Sequence, residues 1–316
     1  MLHRRFVIIG GKGGVGRTTI AAALSVVLAR RGRRVLLAHV RTKQHVHRML
    51  GCNELSDEIR EVLPGLWAVN MTPEAALRER GLMVLRFKSV YRAVMENRLV
   101  KYFLRAIPAL DEYSMLGKAW YHTTEVLDDG RPKYDTVIFD GPATGHLVTM
   151  LRIPQVIVET VPSGPLTVDA REALSLLQDP ARTMMWIVTL AEEMAVSEAI
   201  DLYRWTVEDL RLSVERVVVN GVYPDSFEDP ALGRALDQLR QSDGADPGVA
   251  PLVRSAQTIR SRQAINQVQL ARLEQDLPLP LVQIPHLFRP EVDRDGLERI
   301  VGHLEHVVQA DGERSA

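Results

Sequence analysis

The chain has 316 residues, 46% of them apolar and 25% charged, the proportions of an ordinary globular protein. Its formal net charge of −1 gives no basis for expecting a nucleic-acid partner, and its single cysteine, Cys52, excludes an intrachain disulfide framework and a CxxC metal clip. No stretch approaches the about 20 apolar residues of a membrane span, and the first five residues leave no room for a signal-peptide core, so a cytoplasmic location without an integral membrane segment is expected.

In chain order, residues 5–10 predict a buried strand and residues 18 to about 31 a helix, followed by a second apolar strand over 35–39. Strand, glycine-rich turn, helix and strand form a βαβ unit, which requires a parallel sheet. Residues 66–69 predict a further strand, and 74–127 a mostly helical stretch broken near Pro108. Strands are expected again at 136–140, 184–189, 214–220 and 279–284, with helices between them. The Gly/Pro/Asp-rich stretch 243–251 predicts a surface loop, and residues 309–316 a flexible polar tail. This pattern predicts a single α/β domain over 1–308: a doubly wound, mostly parallel sheet flanked by helices, with a helical insertion at about 74–127. Such sheets bind ligands at the carboxyl ends of their strands.

The strongest signal is Gly10-Gly11-Lys12-Gly13-Gly14-Val15-Gly16-Arg17-Thr18-Thr19, placed after a strand and at the opening of a helix. The frame from Gly11 to Thr18 is a phosphate loop with arginine in the lysine slot. Its glycines allow backbone N–H groups to turn around a phosphate, and the helix N-terminus adds partial positive charge. Thr18 offers a hydroxyl for Mg²⁺. A second constellation follows the strand at 136–140: Asp140-Gly141-Pro142-Ala143-Thr144-Gly145-His146. A carboxylate there can hold the water shell of Mg²⁺, and an aspartate at a strand end is also a ready helix N-cap. Asn220 ends the strand at 214–220. Its amide pairs a donor with an acceptor, which suits an adenine edge and equally suits a strand-end cap.

The early Lys12 and the Lys-Gly-Gly-x-Gly-(Lys)-Thr-Thr pattern resemble the deviant Walker A loop of the ParA, MinD and ArsA P-loop NTPases. In those families the early lysine reaches across a dimer to the partner's nucleotide. The run from Tyr134 to His146 resembles the switch II motif of the arsenite-efflux (ArsA) and GET-pathway ATPases. The segments 67–77, 107–112, 190–198 and 217–220 resemble other segments of the same family: a strand with its Asp-Pro-x-x-Ala continuation, an Ile-Pro-Gly-x-Asp-Glu turn, a post-strand Glu segment and the strand whose terminal Asn reads adenine. The resemblance covers about residues 5–300. It implies ATP or ADP with Mg²⁺, held by Gly11, Gly13, Gly14, Val15, Gly16, Arg17, Thr18 and Thr19. It further implies metal-side roles for Thr18 and Asp140, an adenine contact at Asn220, and a trans-acting Lys12. Lys12 can also be read as a solvated charge on a turn.

Two departures carry the mechanism. Arg17 replaces the loop lysine, a larger planar fork for a compact point charge. Arg41 occupies the slot of the switch I carboxylate that orients the attacking water, and a cation cannot accept a proton from that water. The GET-type CxxC zinc clamp and the arsenite-binding cysteines of ArsA are missing. His39, His45 and His47 are interleaved with Arg41, Lys43 and Arg48, which would repel a metal, and are expected in a solvated loop. The stretch 76–106 is apolar and basic, read either as a groove for a protein client or as a helical layer with a basic outer face. The expectation is a nucleotide-binding ArsA/GET-like subunit with impaired hydrolysis, in a homo- or heterodimer with a related P-loop ATPase and paired with an active paralogue. The alternatives are an active homodimeric ATPase in membrane-protein targeting or anion efflux, and a ParA/MinD-like positioning switch.

Overall fold

A computed structural model describes residues 4–40, 46–85, 110–224, 230–241 and 249–313. The strands are β1 (Phe6–Gly10), β2 (Val35–Val40), β3 (Arg60–Leu63), β4 (Leu66–Met71), β5 (Thr136–Asp140), β6 (Thr183–Leu190), β7 (Val214–Val222) and β8 (Leu281–Pro285). They form one eight-stranded sheet in the order β3-β4-β2-β5-β1-β6-β7-β8. Every pairing is parallel except the β3–β4 hairpin at one edge.

All seven strands expected from the sequence are present, several longer by a residue or two. β3 was not expected. It carries Arg60 and Glu61 and lies only partly buried at the sheet edge, so it lacks the apolar run that marks the inner strands. Residues 249–251, expected in a loop, instead open a long helix (Val249–Asp276), while 242–248 lie outside the described residues. The expected tail begins inside the last helix, Arg294–Glu313.

The α-helices among the described residues are α1 (Arg17–Arg30), α2 (Val46–Leu50), α3 (Pro73–Leu85), α4 (Leu110–His122), α5 (Thr144–Thr160), α6 (Pro165–Gln178), α7 (Glu193–Arg204), continued by a π-helical turn (Trp205–Asp209), α8 (Pro230–Gln241), α9 (Val249–Asp276) and α10 (Arg294–Glu313). Alternation along each strand divides the core into two layers. Val7, Ile9, Leu37 and Ile138 face α1, α2 and α10, while Phe6, Ile8, Leu36 and Phe139 face α4, α5 and α7. Helix α1 is buried continuously from Thr18 to Leu28, between the sheet and α10. Burying every face of α1 fixes its N-terminus, and so the loop that precedes it, rigidly against the strand ends. The expected break near Pro108 and residues 86–109 lie outside the described residues.

Candidate functional site

The loop between β1 and α1 is shaped by three glycines in the left-handed region, Gly11 (φ 149°), Gly14 (φ 87°) and Gly16 (φ 93°). Two of them also admit no side chain. A Cβ on Gly11 would lie 2.1 Å from the carbonyl oxygen of Val188, and one on Gly16 would lie 2.2 Å from Asn220 Nδ2. Gly13 and Gly14 are exposed at the mouth of the loop, whereas Val15 is buried beneath it. Helix α1 starts at Arg17 with no side-chain cap on its N-terminal N–H groups and no acidic residue in its first turn. Uncapped donors behind an exposed glycine loop are what an anion such as a phosphate requires.

Asp140, at the carboxyl end of β5, is buried directly beside the loop. The Thr18 hydroxyl donates to Asp140 Oδ2 at 2.7 Å. His39 Nδ1 lies 2.9 Å from the same oxygen. An ionised carboxylate only accepts, which assigns the proton to Nδ1. Asp140 Oδ1 and the Thr144 hydroxyl are buried with no hydrogen-bond partner among the described residues. One carboxylate oxygen is thus committed to protein donors and the other is left with its lone pairs, a donor set that fits a hydrated divalent cation.

His39 lies in the strand expected over 35–39 and corrects the reading that grouped it with His45 and His47. It does not lie in a solvated loop: it lies near the end of β2, is fully buried, and pairs in register with Asp140 on β5. The register of two neighbouring parallel strands was the signal that could have located it. His45 and Arg41 fall outside the described residues, and His47 lies in α2.

The Arg17 side chain turns to switch II, its Nη1 donating to the carbonyl oxygen of Gly141 at 2.6 Å. Burial pulls its guanidinium below the ordinary arginine value, and the charges of Asp140 and Glu198 oppose that pull. Lys12 Nζ lies 3.3 Å from Glu198 Oε2 on α7, with both side chains about one-third exposed. Gly141 and Glu198 both fall in segments quoted from the sequence, 140–146 and 190–198, but neither contact was expected. Asn220, at the carboxyl half of β7, donates from Nδ2 to the carbonyl oxygen of Val15 at 2.9 Å. That leaves its second N–H and its oxygen for another partner. Lys12, the loop through Thr19, Asp140 and Asn220 therefore converge on one end of the sheet.

Away from this site, α3, α4 and α6 enclose an apolar cavity lined by Ala76, Leu77, Leu116, Trp120, Leu166 and Ala173. At its margin the buried Lys118 pairs with Glu79 at 2.7 Å. Most of the apolar, basic stretch that suggested a client groove, residues 86–106, lies outside the described residues.

Sheet order, loop and strand-end carboxylate together define a P-loop NTPase fold of the doubly wound α/β class. The family model for the anion-transporting ATPases (ArsA) matches residues 4–162, and the chain belongs to this family. The ATPase BagA of Mycobacterium tuberculosis (strain ATCC 25618 / H37Rv) is 27% identical over 250 residues, covering 78% of this chain and 73% of that protein. The arsenical pump-driving ATPase of Acidiphilium multivorum is 28% identical over 335 residues, covering 95% of this chain but only 54% of the pump ATPase. The ATPase GET3 of Lachancea thermotolerans is 27% identical over 158 residues, covering 48% of this chain and 45% of its own. No described helix is long and apolar enough to cross a membrane.

Proposed function

We propose that this chain is a nucleotide-binding subunit of the ArsA/GET type whose own hydrolysis is impaired, and that it pairs with a related P-loop ATPase that retains the intact loop. The observation that carries the reading is the hydrogen bond from Arg17 to the Gly141 carbonyl. The group in the lysine slot is engaged by main chain, and its planar fork cannot reproduce the point-charge contact that a lysine makes with transferring phosphates. Arg41 in the switch I slot removes the carboxylate that would orient water, and losing such a group typically costs orders of magnitude in rate.

Binding is retained in this reading. Gly11, Gly13, Gly14, Val15, Gly16, Arg17, Thr18 and Thr19 surround the phosphates of ATP or ADP. Thr18 and Asp140 would hold hydrated Mg²⁺, with Asp140 Oδ1 as the carboxylate oxygen free to accept from its water. When bound, Mg²⁺ neutralises phosphate charge. Asn220, fixed at Val15, presents its remaining donor and acceptor to adenine. Lys12 serves the partner's nucleotide. Its link to Glu198 is partly in solvent and worth about 0–1 kcal/mol, so it does not prevent that reach. A protein client is compatible with the apolar cavity between α3, α4 and α6.

Family membership together with Thr18, Asp140 and Lys12 favours a second reading, an active homodimeric ATPase. Native mass spectrometry of the complex isolated from its host separates the two. A heteromer containing a relative with an intact Lys-Gly-Gly-x-Gly-Lys-Thr-Thr loop supports the first reading, and a homodimer that turns over ATP supports the second.

A further inference from the structure

Residues 17 and 18 fasten two consecutive residues of switch II. Thr18 donates to Asp140, and Arg17 donates to the next carbonyl, Gly141. His39 approaches Asp140 from β2 at the same oxygen as Thr18. Gly141 itself packs closely against Leu147. A Cβ there would lie 2.7 Å from Leu147 Cδ1 and at van der Waals distance, 3.5 Å, from the Ile9 carbonyl oxygen, so the residue lies against the Leu147 side chain of α5 and beside the end of β1. Helix α5 starts three residues later at Thr144, with Leu147 N–H bonded to the Ala143 carbonyl at 3.0 Å. The start of α5 is therefore tied through a short, tightly packed turn to the peptide that Arg17 holds.

Arginine's length and fork suit this contact. Five N–H donors on a rigid plane can hold a carbonyl and still leave donors for an anion, whereas an ammonium is a single mobile point. A charge-assisted hydrogen bond in a partly buried setting is among the stronger contacts available to a loop.

We propose that Arg17 is a positioning residue that anchors the Gly141–Pro142 peptide to the phosphate loop, so that residues 141–147 keep one conformation whether or not nucleotide is bound. The subunit then offers its partner a fixed face, not one that switches with nucleotide. This deepens the proposed function and rests on it only for the statement about nucleotide.

The test is hydrogen–deuterium exchange of amides in residues 141–150, in the full chain and in the Arg17→Met and Arg17→Lys variants. Each is measured free, with Mg-ADP and with a non-hydrolysable Mg-ATP analogue. The wild type is expected to show the same slow exchange in all three states. Arg17→Met should exchange faster by about tenfold to a hundredfold without nucleotide, the loss expected for a hydrogen bond to a charged donor. Arg17→Lys should regain a difference between free and nucleotide-bound states. Unchanged exchange in β6 shows that the variants remain folded. The anchor is overturned if Arg17→Met matches the wild type without nucleotide, or if residues 141–150 of the wild type respond to a nucleotide that binds. Occupancy is followed separately with fluorescent ADP. If the wild type binds none, the proposed function fails, while the nucleotide-free comparison still decides the anchor. If it hydrolyses ATP yet its switch II does not respond, the proposed function fails and the anchor stands.

Discussion

Replacing Gly16 by alanine probes the junction of the phosphate loop and the strand that carries Asn220. Gly16 has φ 93° and ψ 21°, a left-handed conformation that costs a residue with a Cβ about 1–2 kcal/mol. The new Cβ would also lie 2.2 Å from Asn220 Nδ2, an overlap that cannot persist. The amide must swing away and give up its 2.9 Å bond to the Val15 carbonyl, a further loss of about 1 kcal/mol. The sum is about 2–3 kcal/mol. Gly14→Ala supplies the control. Gly14 has φ 87°, but a Cβ added there would meet nothing within 4 Å, so this change should cost the backbone share alone. Urea unfolding followed by tryptophan fluorescence gives both values, provided the slopes agree. Asn220→Ala in the Gly16→Ala background should recover part of the loss, because it removes the overlap and couples the two sites. Equal costs for Gly14→Ala and Gly16→Ala, with no coupling to Asn220, would refute the contact and with it the fixed placement of Asn220.

Thr18→Ala should weaken nucleotide binding in the presence of Mg²⁺ more than binding without metal, as read by calorimetry in magnesium and in EDTA. An equal change in both would remove Thr18 from the metal side. Lys12→Ala should slow hydrolysis by an intact partner subunit several-fold or more while native mass spectrometry shows the assembly preserved; an unchanged partner rate in an intact complex contradicts the trans role. Burial pushes the Asp135 carboxyl up, but bonds from the Arg34 side chain and main chain outweigh it and hold the group below its ordinary range. A depressed folded value stabilises above the unfolded value of about 3.9 and fades as pH falls through the folded value. Asp135→Asn should therefore lower Tm at pH 7 and approach the wild type as pH falls below the ordinary carboxylate range; a deficit independent of pH would assign the loss to geometry instead of charge.

The inner strands were legible because parallel strands covered on both faces are continuous apolar runs, as in 6–10 and 184–188. The loop was legible because its glycines answer steric demands that only close backbone approach creates, at Val188 and at Asn220. Edge strand β3 was not, since a short charged segment pairs there through its backbone, which leaves no apolar pattern. The contacts of the site were legible only in part. Arg17 stood out as a departure, but its bond to Gly141 spans 124 positions and depends on which way a long side chain turns. Likewise His39 looked like one of several histidines among cations until the pairing of β2 with β5 set it against Asp140. Glu198 reaches Lys12 because α7 follows β6, the strand beside β1, a juxtaposition set by strand order and invisible to local pattern.

The central claim is that this chain does not hydrolyse ATP efficiently by itself, and steady-state turnover by the purified chain with Mg-ATP tests it most directly. Little or no turnover is predicted for the wild type. Arg17→Lys and Arg41→Asp should each restore little alone and more together, because the two groups serve one transition state and are non-additive. Turnover by the unmodified chain near about 1 s⁻¹, the low end of ordinary enzymes, would contradict the account.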